Sequence, residues 1–448
     1  MTHTSITARP SRLRRGRVLF ASAGLFAFAA CNLDVLTPDV VPPSATAGPS
    51  ALPTLLAGVV GDFSVAYAGV NNGNNGEGIV LNSGLFSDES VAADYFSTHI
   101  EIDSRDVHPP NGSNTSVMRS LFRALRSADA ASARYVSAGS PNDPGHARTL
   151  SLAGYVYTIV AEDYCSGVPF STINEDGSFN YGSPLSTSQM LAAAVAKFDS
   201  AIVVATAAGD DRTLNLARVG KGRALLDAGQ YAAAASAVAS VPDDFNFSTE
   251  HSVIDPRTEN GVYALTHVSS RYTTLDKEGA NGLPFVSAND PRVRIDSLGI
   301  SKFDAQTHLY APGKYGSYTA PVAIATGTEA RLIQAEAALN AGDYATALGI
   351  LNALRNAAGM TPLTPVVGAA AQVDQLFRER AFWLFATGHR MGDLRRLVKQ
   401  YGRAQSSVFP SGPYFKGTAY GDQVAFPVPQ TEENNPNFSR SACDPTAA

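Results

Sequence analysis

The 448-residue sequence predicts a mainly α-helical body with a loop-rich, minor-β insertion. Three observations carry that expectation. Long segments repeat apolar residues at helical spacing; in "SVMRSLFRALRSADAASARYVS" these are Val117, Leu121, Leu125 and Ala128. The chain also matches itself. Leu226-Asp-Ala-Gly229-Gln-Tyr231-Ala-Ala-Ala234 and Leu339-Asn-Ala-Gly342-Asp-Tyr344-Ala-Thr-Ala347 agree at Leu, Ala, Gly, Tyr and Ala. Between these copies, residues 241–327 lose the helical period and gain turn residues and short β-prone runs such as "GVYAL" and "APVAIAT".

Taken in order, residues 51–70 read as a helix that ends in the loop "NNGNNGEG", and about 71–115 as irregular loop. Helical hairpins follow over about 117–240. The first helix contains Val117 to Ala128, the second is "HARTLSLAGYVYTIVAEDY", closed by "CSGVPFS", and the third is capped by Ser186 or Thr187. The repeated G-x-Y-x-x-A is the turn of a tetratricopeptide-type helical hairpin. Gly ends the first helix, Tyr wedges between the two, and Ala lets the second approach closely. The copies lie 113 residues apart, far from the tandem ~34 of a regular array, so these are hairpins scattered through a larger fold. A second helical region spans about 328–400, with a break at Gly388, and the tail 405–448 is proline-broken and extended.

The N-terminus reads as a processing signal. Arg9, Arg12, Arg14, Arg15 and Arg17 precede thirteen uncharged residues, Val18 to Ala30, a run short of the roughly 20 a permanent span needs. Phe28-Ala29-Ala30-Cys31 resembles a bacterial lipobox with Phe in place of the usual Leu. The expectation is a signal peptide over 1–30, acylation of Cys31, an extended tether over 31–50, and a body over 51–448 with no further membrane-spanning stretch. Of 34 Lys and Arg, five precede residue 31, leaving 29 against 40 Asp and Glu. That acidic balance disfavours nucleic acid or an anionic membrane as the main partner, leaving the lipid as the only membrane contact. In an oxidising compartment the remaining Cys165 and Cys443 are more readily bridged than free, although spacing alone does not bring them together.

Several stretches resemble, in order, the SusD/RagB-like family of outer-membrane nutrient-binding lipoproteins. The cysteine is followed by "NLDVLTPD", and "EARLIQAEAALNAGDYATALGILNALRNAAG" looks like the family's late hairpin. "FRERAFWLFATGHRMGDLRRL" resembles its signature helix, here Glu379, Arg380, Gly388, His389, Arg390, Asp393 and Arg395. "FPVPQTEENNPNF" resembles its closing stretch; the acid that usually precedes Gly-His-Arg is replaced by Ala386-Thr387. The resemblance implies a SusD-like helical fold and a surface-facing, lipid-anchored outer-membrane protein. It also implies capture of an oligosaccharide or other nutrient oligomer, passed to a SusC-like TonB-dependent transporter.

Binding rather than catalysis is expected. No HExxH, P-loop, G-x-S-x-G or CxxC occurs, no metal or cofactor set is evident, and "NEDG" at 174–177 lacks the remaining ligands of a calcium loop. Glu379 with Arg380, and Arg390 with Asp393, read as structural ion pairs. The binding candidates are aromatic residues in loop-like sequence, Tyr95, Phe96 and His99 in one stretch and Tyr310, Tyr315 and Tyr318 in another, expected to converge on one exposed face. The single tryptophan, Trp383, is expected in the core. The alternatives are peptide or other oligomer capture, a periplasmic tetratricopeptide scaffold, or a hydrolase with an unrecognised site.

Overall fold

Helix caps set the frame of the molecule, a computed structural model that describes residues 48–72, 76–174 and 178–448. The expected signal peptide, Cys31 and the tether up to residue 47 lie outside the described residues. The chain begins with α1 (Leu52–Ala68), α2 (Ile79–Phe86) and α3 (Ser97–Asp103). α4 (Gly112–Ser137) is capped by the Asn111 side chain, which accepts from Asn114 N, and α5 (Pro144–Asp163) by Asp143, with Pro144 filling the first turn. α6 (Thr187–Ala208) opens with a full capping box, Ser186 and Gln189 exchanging bonds with each other's backbone. α7 (Asp211–Asp227) and α8 (Tyr231–Val238) form the first repeated hairpin. After the short α9 (Gly261–Tyr263), α10 (Gly327–Asn340) and α11 (Tyr344–Ala357) form the second. α12 (Ala369–Trp383), α13 (Arg390–Lys399) and the one-turn α14 (Gln405–Val408) close the helical part. The fold is mainly α, and the strands among the described residues form only two-stranded antiparallel ribbons.

The repeated turns do what their glycines require. Gly229 and Gly342 both hold positive φ, at 72° and 83°, where an L side chain is strained. The two hairpins, distant in sequence, stack in space through α8 against α10. The region between them is an excursion from a continuous helical stack. Each repeat Tyr fastens its hairpin to a different element: Tyr231 Oη donates to Gln400 Oε1 at 2.6 Å, Tyr344 Oη to Gln375 Oε1 at 2.7 Å.

Two helices, Pro49–Ala68 and Thr187–Ala208, are long and apolar enough to cross a membrane by length and composition, contrary to expectation. Each packs on other helices, α1 on α4 and α5, and α6 on α5 and α7. The expected loop 71–115, of which 73–75 lie outside the described residues, contains α2, α3 and the start of α4. α2 is buried along its whole length, which erases the amphipathic alternation by which a surface helix is read. Trp383 is only partly buried, with Arg292 over its ring at 5.0 Å.

The tail runs into the body. Phe426 N donates to Asp163 O and Cys165 N to Phe426 O, so Val424–Val428 lies beside the end of α5 in the core. Cys165 and Cys443 are joined by a disulfide, Cα–Cα 5.2 Å.

Candidate functional site

The signature residues of the last helices are buried, and they hold elements together. α12 and α13 are separated by a turn in which Ala386 and Gly388 take positive φ, 51° and 68°. Its backbone is gripped from four sides. Ala386 N donates to Glu89, Ala386 O accepts from Tyr315, Thr387 O from Tyr67, and Gly388 O from Arg223. Burial pushes the pKa of this Glu89 carboxylate up to about 7. His389 packs between Arg223 and Glu329, at 2.9 and 3.1 Å, and is depressed by burial and then by the Arg223 charge.

The two expected local ion pairs are not the ones formed. Arg390 pairs with Asp88 at 2.6 Å, and Asp393 with Arg380 and Arg396 at 2.8 and 2.7 Å. Glu379 is taken by Arg292 and Arg355 at 2.6 and 2.8 Å. Adjacent helical residues point about 100° apart, so Glu379 and Arg380 could not meet, and long-range partners satisfied Arg390. Arg395 Nη1 donates to the carbonyls of Ala161, Glu162 and Tyr164, covering the unsatisfied C-terminal end of α5. Apart from Arg396, three positions from Asp393 on the same helix, the ion-pair partners of these residues lie on other segments of the fold.

The aromatic candidates separate. Tyr95 and Phe96 are 60% and 45% exposed. His99 is buried and Tyr315 is buried, so neither offers a face to a ligand. His99 lies between Asp94 at 2.9 Å and Glu77 at 3.0 Å. Burial opposes its charge, but the Asp94 and Glu77 hydrogen bonds outweigh that and raise its pKa to about 9. Tyr315 is spent on the turn after α12. Tyr310 is half-buried on the ribbon of Ile295–Ile300 and His308–Pro312, its ring 4.3 Å from that of His308. Tyr318, also half-buried, packs edge-on to Tyr263 at 4.9 Å. With Tyr315 buried, the five rings do not all share one exposed face.

A different face forms around Tyr95 and Phe96. Phe303 and Phe415, 45% and 46% exposed, join them through two cations. Arg271 lies over Phe96 at 4.5 Å and Phe303 at 4.9 Å. Lys416 lies 5.2 Å from the Tyr95 ring and 5.3 Å from that of Phe415. The Lys416 side chain is fully buried: Nζ pairs with Asp304 at 2.6 Å and donates to the carbonyls of Ala92 and Asp94. Gln306 donates to Tyr95 Oη at 2.7 Å, and Tyr414 Oη to Asp103 at 2.8 Å. Four distant segments are thus tied into one support. Phe303, Phe415, Arg271 and Lys416 went unsingled in sequence, because no local pattern marks them. A second exposed pair, Phe179 and Tyr181, stacks at 5.8 Å beside the ribbon of Thr172–Ile173 and Phe179–Asn180; residues 175–177 of "NEDG" lie outside the described residues. The cleft lined by Phe122, Leu125, Tyr157, Phe170 and Ile173 is apart from the four-ring face.

Residues 328–439 match the model of the SusD family. No curated protein matches the sequence. Among solved structures, a SusD-like carbohydrate binding protein from Bacteroides vulgatus superposes with a TM-score of 0.64 at 14% identity, covering 88% of this chain and 98% of that one. A SusD-like carbohydrate binding protein from Bacteroides fragilis gives 0.63 at 15%, covering 88% and 99%. A SusD superfamily protein from Parabacteroides distasonis gives 0.63 at 13%, covering 89% and 99%. The chain therefore has the SusD-like helical fold, and its residues 328–439 are similar to the SusD family model.

Proposed function

We propose that this protein is a lipid-anchored, surface-facing outer-membrane protein that captures an oligosaccharide on its four-ring face and delivers it to a SusC-like TonB-dependent transporter. The single observation that carries the reading is the exposure of Tyr95, Phe96, Phe303 and Phe415 on one rigid support. Exposed rings cost solvation unless something covers them, and a sugar's apolar C–H face fits a ring while its rim meets polar neighbours. The SusD-like fold and relatives described as carbohydrate binding support the same reading. Acylation of Cys31 supplies the anchor. The work is binding, not turnover: His389 and the acids around it are enclosed in ion pairs, away from any ligand.

Calorimetric titration with a panel of oligosaccharides and oligopeptides tests this. Loss of each ring removes about 0.5–1.5 kcal/mol of stacking. Phe96→Ala with Phe303→Ala should therefore weaken sugar binding about tenfold or more, with the melting temperature little changed. Peptide capture with no sugar binding would replace the ligand class, and unaltered affinity in the double variant would move the site elsewhere. Co-purification from detergent-solubilised outer membranes, with and without Cys31→Ser, tests anchor and partner together.

A further inference from the structure

The charge on the four-ring face narrows the ligand, given the sugar-binding reading above. Arg271 is half-buried between Phe96 and Phe303, and its guanidinium makes no hydrogen bond or ion pair with any described residue. Its Nε is buried and without a partner. Other arginines here also leave one nitrogen unpaired, but Arg105, Arg380 and Arg395 each spend the rest of the guanidinium on hydrogen bonds within the fold, and Arg271 does not. The acids nearby are already engaged: Asp94 and Glu77 by His99, Asp304 by Lys416, and Asp296 by His267. Lys302, beside Phe303, is exposed and in no ion pair among the described residues. Arg271 and Lys302 are thus two cations without an acidic partner among the described residues, on a protein whose net charge is negative.

We propose that this face is selective for acidic sugars, with Arg271 as the residue that reads a carboxylate or sulfate borne on the sugar ring. The two phenylalanines hold the guanidinium plane, so little freedom is lost when its fork meets a planar carboxylate in two parallel bonds. The exposed parts of Phe96, Phe303 and Tyr95 receive the C–H face of the same or the next ring. Lys302 adds attraction without fixed geometry. A carboxylate exploits the fork most fully; a sulfate shares its charge and differs in shape.

The test is calorimetric titration of the wild-type protein with uronic-acid, sulfated and neutral oligosaccharides of matched length. Acidic sugars should bind about tenfold or more tightly than neutral ones, and that advantage should shrink as salt rises while neutral binding stays level. Arg271→Met should erase the acidic preference, so that acidic and neutral sugars then bind alike; Arg271→Lys should restore part of that preference for sulfate and less for uronate. Preference for neutral sugars, or an acidic preference that survives Arg271→Met, overturns the inference while the sugar-binding reading stands. If no sugar of either kind binds the folded protein, both fall. Should Arg271→Met fail to fold, the wild-type comparison and its salt dependence still decide the matter.

Discussion

His99 looked like a ring for a ligand and is instead a buried cation. Its neighbours show why: a histidine hydrogen-bonded on both nitrogens by Asp94 and Glu77 is charged at neutral pH and cannot be spared from their company. Phe96 rests edge-on against it at 5.6 Å, and Tyr272 donates to the same Glu77. Its folded pKa, about 9, lies above the 6.5 of an unperturbed histidine. The folded state therefore holds this proton more tightly. The resulting stability is fully present below about pH 6.5 and is lost as pH rises through 9, up to about 3 kcal/mol. Chemical denaturation of wild type and His99→Gln at about pH 6 and about pH 10 should show a steep loss in the first and a shallower one in the second. Parallel slopes would mean that the charge on His99 contributes nothing.

Where helices meet, two glycines inside helices should respond in opposite ways to alanine. Gly220 sits in α7, where an added Cβ would land on the Phe198 ring. That ring is wholly buried, edge-on to Tyr155 at 5.2 Å, and has Gly154 on another side, so it cannot retreat. Alanine improves helix propensity by about 1 kcal/mol. Overpacking costs about 1–3 kcal/mol, so Gly220→Ala should be destabilising overall. Gly349, in α11, is exposed and has nothing within 4 Å of an added Cβ. Gly349→Ala should gain up to about 1 kcal/mol. Thermal melts of the two variants check the pair, and stabilisation by Gly220→Ala would show the α6–α7 contact to be slack. The helices themselves could be read from periodicity and caps, and the repeated Gly-x-Tyr located both hairpins. What could not be read was sidedness in the loops. Tyr95 and Tyr315 both stand in polar, loop-like sequence, yet one is open and the other seals a turn 71 residues away. Arg390 likewise had a plausible partner three positions on, and found Asp88 across the fold.

The chain is closed on itself near its end. The bridge between Cys165 and Cys443 spans 278 residues, and the Val424–Val428 run lies buried between its two sides. A loop of that length removes up to about 5 kcal/mol of denatured-state freedom in the chain-entropy account. Non-reduced, denatured protein should therefore take up no alkylating reagent at Cys165 or Cys443. Cys443→Ser should lower the melting temperature and speed proteolysis within 429–448, while helix content is unchanged. Free labelling of both thiols would refute the bridge, and an unaltered melting temperature would leave it without stabilising effect. In sequence, the compartment argued for the pairing and the helices argued for the frame. The buried course of the tail depended on contacts hundreds of residues apart.

Lys416 has one more implication. It is a buried post that joins the strip carrying Phe415 to Asp304 and to the carbonyls beside Tyr95. Anyone grafting this four-ring face onto another SusD-like scaffold must transplant the post and its sockets together with the visible rings. Moving the rings alone would deliver the same side chains on a strip free to wander, and their mutual arrangement would be lost with every ring in place. The same coupling lets the surface be exchanged as a cassette: once Lys416, Asp304 and the 92–94 backbone are kept, the rings above them are free to vary, and the charged interior of α12 and α13 need never register the change.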